Sequence, residues 1–226
     1  TAATICCNYR NGNDVKQTSN QLSLKLYSQE EFTPIENPYA PNADGGPLKW
    51  DSKMFFGREE EIKNIVNAII NSPSKQIIIY GQKRSGKSSV LNRIQHNLLD
   101  TGNIFCVSFS LGEITQNLNE VSFYYKIIHS IKQELDLLEL DGINNIPKFE
   151  IPSAREFKEE DEDNPLNTFT KYMIKYKLSC KQTNGWKDKR LVIMIDEFTY
   201  LYTEIKKGNI SSSIMKQWKA ITQNER

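Results

Sequence analysis

The chain has 226 residues, enough for one ordinary domain or one domain with a tail. Its 38% apolar and 25% charged residues exclude a chain disordered by composition. A formal net charge of +1, from 29 basic and 28 acidic side chains, gives no support to a nucleic-acid binder working by basic excess alone. No apolar run approaches the ~18 residues that cross a bilayer, and the opening lacks a signal pattern, so no membrane partner is expected. Cys6, Cys7, Cys106 and Cys180 form no CxxC pair, and His96 and His129 lie far from them in sequence. Neither a zinc site nor a disulfide framework is indicated; four reduced cysteines in a cytoplasmic chain are the expectation.

Residues 1–36 are polar and rich in Asn and Gln, with one short alternating segment at 22–27. They read as a lead-in or the edge of a preceding domain. Residues 37–47 are a loop by their Pro and Gly content. Ile62, Ile65, Val66, Ile69 and Ile70 then recur at helical spacing, with Glu59, Glu60 and Glu61 in a first turn that favours carboxylates. This predicts a helix that closes near Ser72 and Pro73. Residues 76–80, Gln-Ile-Ile-Ile-Tyr, read as a strand buried on both faces of a parallel sheet. A helix follows over about 87–100, with Val90, Leu91, Ile94 and Leu98 on one face, then a strand over 104–110.

Ile127, Ile128, Ile131, Leu135 and Leu138 predict a helix over 121–140. Residues 141–163 are loop-like and end in the acidic run 159–163, a solvated loop or an interaction patch. Asn164 and Pro165 start a helix that Gly185 stops. Residues 191–195 form a strand, and Ile214, Met215, Trp218 and Ile221 carry a helical pattern toward the last residue. Strand, helix, strand, helix, strand means a parallel α/β class. Phe123, Tyr124 and Tyr125 open a helix and read as core rather than as base-stacking rings.

The turn after the first predicted strand is Gly81, Gln82, Lys83, Arg84, Ser85, Gly86, Lys87, Ser88, a full match to G-x-x-x-x-G-K-[ST] between a strand and a helix. Glycines let the backbone curl so that successive N–H groups face phosphate oxygens, and the following helix adds its positive end. Lys87 reaches the β- and γ-phosphates, and Ser88 places a hydroxyl on Mg²⁺. Lys83 and Arg84 either add positive potential or face solvent. The strand at 191–195 empties into Asp196 and Glu197. Asp196 is assigned to the metal, and Glu197 to the base that takes a proton from the attacking water.

Asn37, Pro38 and Tyr39, then Phe55, Phe56, Gly57, Arg58 and Glu59, then residues 80–89 through Ser89, then residues 195–198 together resemble the ATPase module of STAND proteins. These are multidomain signal-transduction ATPases related to AAA+ ATPases, and the likeness covers about residues 37–206. The resemblance implies a three-layer P-loop NTPase with a parallel sheet, in the additional-strand, catalytic-glutamate branch. It also implies that Gly57 and Arg58 line the nucleotide pocket, although packing of Phe55 and Phe56 explains that segment as well. ATP or ADP would be the ligand, Mg²⁺ the cofactor and slow hydrolysis the reaction. The implied role is a conformational switch in a signalling or defence protein, with self-association in the ATP state. Initiators of the origin-recognition type carry a similar Gly-Arg-Glu element, and in that alternative the parent protein acts on DNA. A nucleotide-bound scaffold without turnover is a third reading, against which Glu197 speaks. The same resemblance places a sensor strand and a lid after Arg226, so that 37–226 would be an ATPase domain lacking the centre of its sheet and poorly stable as an isolated piece.

Overall fold

A computed structural model describes residues 2–11, 14–23, 37, 46–72, 76–161 and 164–223. The chain divides into two units, 1–41 and 42–226. The first holds an antiparallel ribbon, β1 (Ala2–Asn11) and β2 (Asp14–Ser23), in register from Ala2 opposite Ser23 to Asn11 opposite Asp14. Residues 2–11 and 14–23 of the expected lead-in or domain edge thus form a strand pair. Asn11-Gly12 between β-forming residues is a hairpin signal that the polar composition obscured. Of the alternating segment at 22–27, Leu22 and Ser23 end β2 and the rest lies outside the described residues, as do Pro38, Tyr39 and Pro73.

In the second unit α1 (Glu59–Asn71), α2 (Lys87–Leu99), β3 (Ile104–Ser110), α3 (Glu120–Leu140), α5 (Pro165–Gln182) and β4 (Arg190–Asp196) fall where the periodicities put them. Asn119 caps α3 in a reciprocal capping box with Ser122. β3 and β4 pair in parallel from Ile104 opposite Arg190 to Ser110 opposite Asp196. Alternate residues of β3 feed two cores. Phe105, Val107 and Phe109 pack with Phe123, Ile127, Ile128 and Ile131 of α3 and with Phe169 of α5. Ile104 and Cys106 pack with Ile62 and Val66 of α1 and with Val90, Ile94 and Leu98 of α2. A parallel pair buried on both faces explains why these strands read as continuous apolar runs. Burial pushes the Cys106 thiol up to about 12, which keeps it protonated and inert.

Three elements differ from the sequence expectation. Residues 76–80 have no regular secondary structure and join no strand ladder among the described residues, with Ile78 80% and Tyr80 91% exposed. A strand needs a neighbour at its edge as well as apolar side chains, and β4 spends its paired edge on β3. Only Ile79 of this run packs against the α1/α2 core. Within the expected loop, Ala154–Glu160 form α4, fixed by a capping box between Ser153 and Glu156 and by buried Phe157. Glu160 pairs with Lys171 and Asp161 accepts from Asn167, so the described part of the acidic run is locally partnered; residues 162 and 163 lie outside the described set. After β4 comes α6 (Thr199–Lys207), which no sequence pattern announced, closed by Gly208 at φ 80°; α7 (Ser213–Gln223) lies where the helical pattern put it.

Phe123 and Tyr124 at the head of α3 are core residues. Tyr124 is fully buried and donates to Gln217 at 3.2 Å, and burial pushes its hydroxyl up to about 12. Trp186 stacks edge-on against Phe105 at 5.1 Å and donates to the Asn145 carbonyl, while Trp218 packs on Phe123 and Phe169. Among the described residues no helix is long and apolar enough to cross a membrane.

Candidate functional site

The parallel register brings the C-terminal tips of β3 and β4 side by side, which puts Ser110 next to Asp196 and Glu197. Ligands of open parallel sheets bind at such carboxyl ends. The loop 81–86 and the head of α2 meet the same tips through one contact, in which Ser88 Oγ donates to Asp196 Oδ2 at 2.5 Å. Residues 108 positions apart in the chain thus converge on one point. Both atoms are hard oxygen donors, a set that suits a magnesium-type cation sharing its shell with phosphate and water.

Gly86 takes φ 81° at the N-cap of α2 and Arg84 takes φ 62°, left-handed geometry that turns the loop back onto the helix axis. The Gly86 N-cap contributes no side chain to the first turn, where the helix presents its positive end. Lys87 folds across the loop and donates to the carbonyls of Gly81 at 3.2 Å and Gln82 at 2.7 Å. In this state its ammonium satisfies backbone acceptors of the very loop it follows. Gln82, Lys83 and Arg84 are exposed, and Ser85 N–H closes the turn onto the Gln82 carbonyl. Ser89 is buried at 6% exposure and its Oγ accepts from Leu48 N–H at 2.9 Å. Its side chain therefore serves the upstream segment.

Glu197 sits at φ 54°, a left-handed conformation that costs a non-glycine residue roughly 1–2 kcal/mol. Strain of this kind persists where the surroundings over-determine it. Two hydrogen bonds do so here. Glu197 N–H donates to Asp196 Oδ1 at 2.7 Å, and Ser110 Oγ donates to Glu197 Oε2 at 2.6 Å. Ser110 Oγ in turn accepts from Gly112 N–H at 2.9 Å. A Cβ on Gly112 would lie 2.0 Å from Glu197 Oε2, so the absent side chain makes the seat in which the carboxylate rests. Sequence reasoning missed Ser110 and Gly112. The signal for them was a polar residue ending an apolar strand, followed two positions later by glycine.

Gly57 and Arg58 form the left-handed entry to α1, with φ 76° and 62°, and both are exposed. The hydrogen bonds that join the phosphate loop to the strand tips do not include them. What converges is the phosphate loop, Lys87, Ser88, Asp196 and Glu197.

A family model described as the ATPase domain predominantly from Archaea matches residues 55–225, which takes in every one of these positions. The chain belongs to that family. It is an ATP-binding ATPase domain of the α/β class, with a small parallel sheet. Among curated relatives, an uncharacterized ATP-binding protein of Methanocaldococcus jannaschii is 27% identical over 151 residues, covering 63% of this chain and 36% of the relative. Another, from Pyrococcus abyssi, is 26% identical over 151 residues, covering 64% and 43%. A further M. jannaschii ATP-binding protein is 38% identical over 60 residues, covering 26% and 17%. The chain thus spans less than half the length of these relatives. No solved structure matches.

The seat of Glu197 gives a direct test in this ATPase domain. Gly112→Ala is expected to displace the carboxylate from Ser110 and slow ATP hydrolysis by up to about 10²-fold, the weight of a 1 Å misplacement of a reacting group. Nucleotide affinity should stay as it is. A steady-state rate equal to wild type would show that this seat does not position Glu197.

Proposed function

We propose that this ATPase domain binds Mg-ATP on residues 81–89, hydrolyses it slowly with Glu197 as general base, and uses the cycle as a conformational switch in a larger multidomain signalling or defence protein. The observation that carries this reading is the 2.5 Å contact from Ser88 to Asp196, with Glu197 next in the chain. It joins the phosphate loop to the acidic strand end at one point, as phosphoryl transfer requires. Ser88 and Asp196 would hold Mg²⁺, which when bound neutralises charge on the β- and γ-phosphate oxygens. Backbone N–H groups of 81–89 would cradle the phosphates, and Lys87 would exchange the Gly81 and Gln82 carbonyls for phosphate oxygens. Glu197 would orient the attacking water and accept its proton. Gly57 and Arg58, left-handed and exposed at the head of α1, would line the nucleotide on its other side, and the exposed Lys83 and Arg84 would raise the positive potential over it.

The resting geometry supports a switch over a rapid motor. Lys87 is occupied by its own loop and must be released before reaction, while Ser110 holds Glu197 in place. The run 76–80, which joins no strand ladder among the described residues, and the β4 edge that pairs with no strand among them fit the additional-strand branch, in which a further strand lies between the two motif strands. Self-association would accompany the ATP state, as the resemblance to STAND ATPases implies. The test is to denature freshly purified full-length protein and identify the released nucleotide by chromatography. Near-stoichiometric ADP is the expected result. An empty site with steady turnover of added Mg-ATP would contradict the switch.

A further inference from the structure

Residues 46–56, upstream of α1, run across the outer face of α2, and the residues they touch form one stripe of that helix. Leu48 is held at both of its backbone groups: its N–H donates to Ser89 Oγ at 2.9 Å, and its carbonyl accepts from Asn92 Nδ2 at 3.1 Å. Arg93 donates to the Ser52 carbonyl at 3.1 Å and lies over the Phe55 ring, 4.4 Å from its centroid. A turn further on, Trp50 stacks on His96 with ring centroids 3.7 Å apart, and His96 Nδ1 lies 3.2 Å from Asp100 Oδ2. Positions 89, 92, 93, 96 and 100 share a helical face. Val90, Ile94 and Leu98 occupy the other side, in the core.

The helix that begins the phosphate site is therefore gripped from two directions. The core fixes one face, and an exposed strap with little regular backbone pairing of its own holds the other. Such segments sit at the low-stability end of a protein and open first. The strap's uppermost anchor, Ser89, is next in the chain to Ser88, whose hydroxyl meets Asp196. Its lower end, Phe55 and Phe56, runs directly into Gly57 and Arg58. Ser89 thus ties the first turn of α2 to the strap, and the strap runs on to the entry of α1.

We propose that segment 46–56 is a latch on the phosphate-binding helix, that Asn92 and Trp50 are positioning residues for the nucleotide, and that strap seating and nucleotide binding strengthen each other. This rests on residues 81–89 being the nucleotide site. The coupling is reciprocal by linkage: if seating the strap tightens nucleotide binding, nucleotide tightens the strap by the same factor. Asn92 acts through Leu48, since a side-chain amide that donates to a backbone carbonyl fixes the strap's register without touching phosphate.

The experiment labels the full-length protein with 5-fluorotryptophan and follows its ¹⁹F spectrum during titration with Mg-ADP, the Trp50 line being assigned by Trp50→Phe. The Trp50 line is expected to move on ADP binding, while the line of Trp186, packed on Phe105, stays in place and reports an intact core. Asn92→Ala, and the isosteric Asn92→Asp that cannot donate to the Leu48 carbonyl, should each shift the Trp50 line without ligand. Each should also raise the Kd for ADP by about 2–10-fold, the weight of one net hydrogen bond. A Trp50 line that ADP leaves unmoved, or wild-type ADP affinity in both Asn92 variants, overturns the latch alone. Failure of the wild-type protein to bind ADP overturns the nucleotide site and the latch with it.

Discussion

Glu197→Gln is expected to slow ATP hydrolysis by about 10²–10⁴-fold, the usual weight of a positioned general base, and to leave Mg-ATP binding intact. Glutamine keeps the size of the side chain and can still accept from Ser110 Oγ through its carbonyl oxygen, so the strand tip should hold its shape. What is lost is the lone pair that takes the proton. The left-handed backbone at Glu197, the bond to Asp196 and the seat made by Gly112 all aim one carboxylate, at the cost of local strain. A single-turnover rate unchanged by the substitution would remove Glu197 from the reaction.

Lys87→Ala should weaken Mg-ATP binding by about 1.5–3 kcal/mol, the range for hydrogen bonds to charged groups, which calorimetry reads as roughly a 10–150-fold rise in Kd. The fold should tolerate it, since the two bonds Lys87 makes to Gly81 and Gln82 carbonyls are exposed. Those bonds also set the sign of a second effect. Without the ammonium the loop carbonyls lose their donor, so the substitution should loosen the empty loop as well as weaken its ligand. Wild-type affinity in Lys87→Ala would remove the phosphate loop from the account.

Much of this was legible because local and tertiary signals agree. The stripe of Ile62, Val66 and Ile69 gives α1 its helix, and the β-branched run before Asp196 gives β4. The motif between 81 and 88 is legible because its glycines and charges answer to phosphate geometry. Residues 76–80 show where such reading stops: three isoleucines specify an extended, buried segment but cannot specify which strand lies beside it. α4 was hidden by its shortness and its acidic flank, although Ser153 and Glu156 carry a capping box. The signal at Ser110 and Gly112 gains its meaning from the β3–β4 register, which sets Ser110 beside Asp196, and from the contact that a side chain on Gly112 would make with Glu197. Ser89, one residue past the motif, is the instructive case, since its hydroxyl belongs to the strap.

A crystal structure of the full-length protein with Mg²⁺ and a non-hydrolysable ATP analogue tests the nucleotide site directly. Phosphates are expected on the N–H groups of 81–89, with Lys87 Nζ released from Gly81 and Gln82 onto phosphate oxygens and the 2.5 Å contact between Ser88 and Asp196 opened around the metal. Analogue bound elsewhere, with Lys87 still on its loop carbonyls and Ser88 still on Asp196, would contradict that site.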